Sequence, residues 1–150
     1  MNIGIISYAA PVNVTAIAQE YHDKTYEFLI QTGHDITNID KLVMNDADNA
    51  SAIEKLKRSF PDMIVVEFGT FAQGNMVVDF IEEFKNVPLF IRGYNDPIVE
   101  NHPTVPLNSM TGFMMATSFL KKTGTKFSWS YADIDDNEAN KKLITMIDAI

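Results

Sequence analysis

Short runs rich in β-branched and aromatic residues recur five times along this chain, each followed by a stretch whose apolar residues fall at helical spacing. No other feature constrains the fold as much. Strands that alternate with helices must pair in parallel, and the helices must cross over the sheet with right-handed connections. The first strand is "IGII", Ile3 to Ile6, followed by a helix carrying Ile17, Tyr21, Phe28 and Leu29 and ended by Gly33. "HDITNI" is a short second strand. "NDADNASAIEKLKRSF" reads as a helix with Ile53, Leu56 and Phe60 on one face, stopped by Pro61. "DMIVVEF" is apolar on successive residues, the mark of a strand covered on both sides. The third helix sets Val77, Phe80, Ile81 and Phe84 on one face, and "VPLFI" is the fourth strand. A long loop, Arg92 to Leu107, holds Pro97, Pro103 and Pro106. Asn108 or Ser109 is placed to cap a fourth helix, with Met110, Phe113, Met114 and Thr117 on one face and Gly124 at its close. "KFSWSY" and "DIDDNEANKKLITMIDAI" supply the last strand and helix. The expectation is a three-layer α/β fold, a doubly wound parallel five-stranded sheet in the flavodoxin-like order 2-1-3-4-5.

The 150 residues suit one domain, and no repeat, linker or low-complexity stretch suggests a second. Leu143, Met146, Ile147 and Ile150 carry the last helical face to the final residue without a cap or polar tail, so a domain excised from a longer chain is expected. There are no cysteines, hence no disulfide framework or thiolate chemistry. A net charge of −8 repels phosphate backbones, which disfavours a nucleic-acid partner. The apolar runs fall far short of the roughly 18 residues of a membrane span. The start, "MNIGIIS", lacks a basic n-region. These features together lead to the expectation of a cytoplasmic protein without a membrane partner.

In an open α/β sheet, ligands bind outside the carboxyl ends of the strands where the strand order reverses. For the order above that crevice lies between strands 1 and 3, with "SYAAPVN" and "EFGTFAQGN" as its lips and "RGYNDP" beside them. Gly69 and Gly74 share the spacing of a P-loop, but Asn75 and Met76 stand where the phosphate-binding lysine and the magnesium-binding hydroxyl are needed. No G-x-G-x-x-G follows any strand, and no acidic pair ends strand 1. The lip can be a glycine turn with a helix cap. It can also be a polar rim in which Glu67, Thr70 and Gln73 hydrogen-bond a hydroxyl-rich ligand. Tyr8 either packs over the sheet edge or stacks on a ligand. Arg92 either neutralises Glu67 or binds an anionic group.

Three histidines, His22, His34 and His102, have no metal-ligand spacing, and surface or capping roles are expected for each. "DIDDNE" lacks the glycine and distal glutamate of a calcium loop, so it and "NDADNAS" read as helix-opening carboxylates. Met110, Met114 and Met115 read as core filling. No nucleophile–base pair stands out, so no catalytic residue and no metal ligand is assigned.

The ordered set "DMIVVEFGTFAQGNMVVDFIEEFKNVPLFI", then "PLNSMTGFMMATSFLKKTGTKFSW", then "DIDDNE" resembles the N-terminal part of the L-fucose and L-arabinose isomerase-like family. The likeness spans Ile3 to Ile150 and is most specific from Asp62 to Asp136. It implies a domain of a metal-dependent aldose–ketose isomerase in carbohydrate metabolism. The divalent metal, usually manganese, would be held by carboxylates and a histidine of later domains, leaving this chain alone without cofactor and inactive. It further implies a homo-oligomer in which this domain lines a neighbouring subunit's sugar site, with Tyr8, Ala9 and Asn13 in the contributing loop. The substrate-binding residues expected are Tyr8, Asn13, Glu67, Thr70, Gln73 and Arg92. Arg92 departs from the apolar residue of the family pattern, which opens the way to an anionic sugar. The alternative is a stand-alone, non-enzymatic flavodoxin-like module that binds a small polar ligand.

Overall fold

A computed structural model describes residues 1–101 and 105–150. His102 and Pro103 of the long loop lie outside the described residues. The element order is β1 (Asn2–Tyr8), α1 (Thr15–Ile30), β2 (Asp35–Asn38), α2 (Asp46–Ser59), β3 (Met63–Phe68), α3 (Gly74–Glu83), β4 (Leu89–Tyr94), α4 (Ser109–Thr123), β5 (Phe127–Ala132) and α5 (Asn137–Asp148). The strands form one parallel sheet in the order β2-β1-β3-β4-β5, as the alternation of elements predicts. This is the flavodoxin-like arrangement, with its switch point between β1 and β3.

Every residue of β3 and β4 is buried, because helices cover both faces. On one face Ile6, Tyr8, Ile64, Val66, Phe68 and Ile91 meet Leu56, Val77, Phe80 and Leu120, forming the larger core beneath α2, α3 and α4. On the other, Ile3, Ile5, Met63, Val65 and Phe90 meet Leu29, Leu143 and Ile147 of α1 and α5. This second core stops halfway up the strands. Towards their carboxyl ends the same face carries Ser7, Glu67, Arg92, Tyr94 and Ser130, all buried.

Helix ends follow the sequence closely in places. Asn45 accepts from the Asp48 amide at 2.9 Å and Asp136 from the Ala139 amide at 2.7 Å, so both acidic stretches open helices. Gly124 closes α4 in the left-handed conformation at φ 72°.

Other expectations need correction. Phe60 does not join Ile53 and Leu56: it caps α2 at φ 51° and is 84% exposed, because a left-handed cap turns its side chain off the helix face. The buried face of α1 is Ala18, His22, Thr25 and Leu29, rotated from the expected one, since the upper part of this sheet face is polar and receives polar residues. The buried face of α4 is likewise rotated. Ser109, Gly112, Phe113, Ala116 and Leu120 turn inward, while Met110 and Met114 are exposed and only Met115 packs against the core. Neither Asn108 nor Ser109 caps α4 through its side chain. Ser109 instead accepts from the Tyr94 amide and donates to the Phe68 carbonyl, bridging β3 and β4. Arg92 opens no loop. β4 continues through it to Tyr94, paired with β5 as far as Tyr94–Ala132.

Candidate functional site

The polar half of the α1/α5 face is built by strand register. Ser7 on β1, Glu67 on β3, Arg92 on β4 and Ser130 on β5 are successive lateral neighbours, so their side chains project to the same side. Tyr94 lies two residues beyond Arg92 and shares that side. From α1, His22 and Thr25 descend onto this row.

Glu67 is the centre of the cluster. His22 Nδ1 lies 2.6 Å from its Oε2, and both side chains are fully buried. The Tyr94 hydroxyl donates to Oε1, and Thr25 Oγ1 lies 3.1 Å from that hydroxyl. The second imidazole nitrogen, Nε2, is 2.8 Å from Asn38 Oδ1. Burial presses the His22 imidazolium down, but the hydrogen bond and charge of Glu67 outweigh it. The net effect, helped by Asn38 and Asp23, holds His22 above the ordinary 6.5. In the protonated form both ring nitrogens donate, to Glu67 and to Asn38. Burial first, and the Glu67 charge second, push the Tyr94 phenol well above its ordinary value, so it stays protonated. Tyr21 covers the cluster edge-on, with its ring 5.0 Å from that of Tyr94.

Arg92 is 2% exposed and does not bond Glu67. Its Nη2 donates to the Ile134 carbonyl and to Asn140 Oδ1, both at 3.0 Å, and its guanidinium carbon stands 5.4 Å from the centre of the Tyr94 ring. The expected neutralisation of Glu67 is made by His22 instead, because the helix brings an imidazole over the carboxylate while α5 draws the guanidinium aside.

The remaining expected site residues are dispersed. Tyr8 points to the opposite face, where it stacks near Phe68 and donates to Asn49 Oδ1 at 2.7 Å, deep in the larger core. Thr70 is buried and ties the two lips together: its Oγ1 accepts from the Ala10 amide at 2.7 Å and donates to the Phe71 carbonyl at 3.0 Å. Gln73 is exposed at the start of α3 without a capping bond. Asn13 is half-buried in the loop after β1, its Oδ1 without a partner among the described residues. Glu67 and Arg92 share a face, whereas Tyr8, Thr70, Gln73 and Asn13 do not converge with them.

The switch-point crevice is filled by the chain itself. The Val14 amide donates to Pro106 at 3.0 Å and the Phe71 amide donates to Leu107 at 3.1 Å. Leu107 is fully buried between the lips. Asp96 Oδ1 holds this segment by accepting from the Leu107 and Asn108 amides at 2.6 and 3.1 Å. Among the described residues, Pro106 and Leu107 thus occupy the carboxyl edge between β1 and β3.

His22 and Tyr94 are the residues that sequence reasoning missed. Placing His22 as a surface or capping residue is corrected by its complete burial against Glu67. The signal was its position four residues after Ala18 and seven before Leu29, on the inner face of α1. Among the described residues no three His, Asp or Glu side chains come together to hold an ion. His22 and Glu67 are already engaged with each other and with Asn38 and Tyr94. Among the described residues, the side chains do not fit a resident manganese ion.

No family model matches the chain. Over 134 residues it is 22% identical to sulfoquinovose isomerase of Priestia aryabhattai, an alignment covering 89% of this chain and 29% of that protein. The same identity and coverage hold for sulfoquinovose isomerase of Priestia megaterium. The chain therefore spans under a third of the length of the curated relatives it matches. A ribose 5-phosphate isomerase from Thermotoga maritima superposes with a TM-score of 0.35 at 13% identity, covering 99% of this chain and 98% of that one. A superposition that loose carries no argument about the site. No described helix is long and apolar enough to cross a membrane.

Proposed function

We propose that this chain serves as a domain of a sugar isomerase, an aldose–ketose isomerase of the L-fucose and L-arabinose isomerase-like kind. Its role is to wall a substrate site completed by later domains or by a neighbouring subunit. The observation that carries the reading is the alignment with sulfoquinovose isomerase, which takes in 89% of this chain but only 29% of the relative. The occupied switch point suits that role, because an edge packed by the chain's own Pro106 and Leu107 can form one side of a site completed elsewhere. Gln73, exposed at the start of α3, and Asn13, in the loop after β1, are the residues this reading offers to substrate. Thr70 ties the two loops together behind them, Tyr8 anchors the end of β1 to α2, and Glu67 and Arg92 hold the face below. The divalent metal belongs to the remainder of such an enzyme, in the cytoplasm and in a homo-oligomer.

An isomerase assay across aldose–ketose pairs, with and without EDTA, tests this. Residues 1–150 alone are expected to be inactive, and the native gene product is expected to exceed the 16.9 kDa of this chain and to be active. EDTA-sensitive isomerisation by residues 1–150 alone would overturn the assignment of the chemistry to other domains. A native mass of 16.9 kDa would favour a stand-alone module that binds a small polar ligand. The specific support for that second reading is that Glu67, His22 and Tyr94 satisfy one another in the interior.

A further inference from the structure

A buried guanidinium is stable only when its charge and its N–H groups are answered. Arg92 is answered in part. Nη2 uses its hydrogens on Ile134 and Asn140, both neutral acceptors. The N–H groups on Nε and Nη1 have no acceptor among the described residues, and none of the ion pairs found there includes Arg92. Glu67, its lateral neighbour, has both oxygens taken by His22 and Tyr94. Ser130, the neighbour of Arg92 on β5 and on the same face, is also buried with its Oγ unpartnered.

The guanidinium forms part of the wall of a cavity of about 210 Å³ in the crevice between α1 and α5, where Lys24, Thr25, Gln31 and Asn140 also line it. That volume falls below the roughly 300–1,000 Å³ of sites that enclose drug-sized molecules, so it suits an ion-sized group and not a whole sugar. Two carboxylates, Glu27 and Asp135, line it as well. Both are exposed, and Asp135 is already 3.8 Å from Lys24 Nζ. Both carboxylates stand in water and are screened by it, and the unpartnered Nε and Nη1 of Arg92 open into the crevice and are not sealed from it.

We propose that the crevice between α1 and α5 binds a small tetrahedral oxyanion (phosphate, sulfate or sulfonate), held by Arg92 from within and by Lys24 at the rim. The free N–H groups of a guanidinium match such an oxyanion in a bidentate fork, and the Gln31 side chain supplies a neutral donor beside it. The inference is independent of the isomerase reading: it concerns a different place in the fold and is tested by binding.

The test is amide and guanidinium NMR of this chain, titrated with sodium sulfate, sodium phosphate or sodium methanesulfonate against sodium chloride at matched ionic strength. The expected result is a saturable shift of the Arg92 Nε–H signal and of the Thr25, Gln31 and Asn140 amides with the oxyanions and not with chloride. Lys24 is 42% exposed, so Lys24→Glu should fold, and it should weaken the affinity about tenfold or more, the effect of losing one charge-assisted contact. Asp135→Asn should tighten binding. Methanesulfonate binding as well as sulfate would point to an oxyanion carried on an organic ligand; sulfate and phosphate alone would point to the free ion, and either supports the site. Shifts no larger than those in chloride, or shifts untouched by Lys24→Glu, would overturn it. So would a loss of stability in Asp135→Asn with no response to any oxyanion, which would make Asp135 the partner of Arg92.

Discussion

His22 Nδ1 stands 2.6 Å from Glu67 Oε2, with neither side chain reached by solvent. Helix α1 and strand β3 are thereby joined by an ion pair where the sheet would otherwise receive another apolar contact. Removing one partner of such a pair costs more than the pair contributes, because the other charge is left buried. Glu67→Gln should lower the unfolding free energy by about 3 kcal/mol or more, read from urea denaturation. A double-mutant cycle with His22→Gln should return a coupling of roughly 0.5–3 kcal/mol. Additive effects would show that the two do not interact.

The same pair makes stability depend on pH. The folded value of His22 lies above the ordinary 6.5 that it has when unfolded. A raised value means that the folded state holds the proton more tightly. The stabilisation is therefore complete below 6.5 and is lost as pH rises through the raised value. Urea midpoints should fall as pH rises above 6.5 in the wild type and stay flatter in His22→Gln. A wild-type midpoint that rises over that interval would contradict the assigned protonation.

Thr70 holds two loops with one hydroxyl. Thr70→Val keeps the shape and leaves the Ala10 amide buried without an acceptor, which should cost about 1–3 kcal/mol. Hydrogen exchange at Ala10 should accelerate beyond the global change, and Thr70→Ser should restore protection. Equal exchange in Thr70→Val and Thr70→Ser would deny the hydroxyl its role.

Phe60 is a residue out of place by every local rule, apolar, 84% exposed and left-handed at φ 51°. Phe60→Gly should stabilise the protein by up to about 1 kcal/mol, since glycine adopts this cap without the strain on Cβ. Thermal denaturation reads the sign directly.

Gly112 shows the opposite case. A Cβ there would lie 2.7 Å from Phe68 Cδ1 and 3.3 Å from the Ala72 amide nitrogen, where α4 rides closest over β3. Gly112→Ala should be destabilising by about 1–3 kcal/mol, despite the helix propensity it gains, because overpacking outweighs propensity. A rise in melting temperature would mean that Phe68 yields without cost.

The strand order was legible because five β-α units leave few topologies open, and the run "MIVV", apolar on successive residues, marks a central strand. Helix faces were less legible. Apolar periodicity placed α3 correctly, since Val77, Phe80, Ile81 and Phe84 meet an apolar face. It misplaced α1, because Thr25 and His22 pack inward against other polar groups that lie far along the chain. Glu67 was singled out from its place at the end of β3. Its partner could not be, since strand register and helix rotation together decide which group reaches it. The alternation Phe90, Arg92, Tyr94 did carry the sign that β4 runs on past "PLFI", with every second residue on one side.

The two faces of the sheet differ in what substitution they can absorb. Beneath α2, α3 and α4 the contacts are apolar and non-directional, so swaps of similar volume should pass with small effect. Beneath the upper part of α1 and α5, His22, Thr25, Glu67, Arg92 and Tyr94 hold their places through bonds of fixed direction to groups elsewhere in the chain. Sequence drift is therefore free to rewrite one side of this sheet while the other can change only by concerted replacement. Distant relatives should be easiest to recognise from the polar residues at positions 22, 67, 92 and 94, and hardest from the larger core that supplies most of the buried apolar surface.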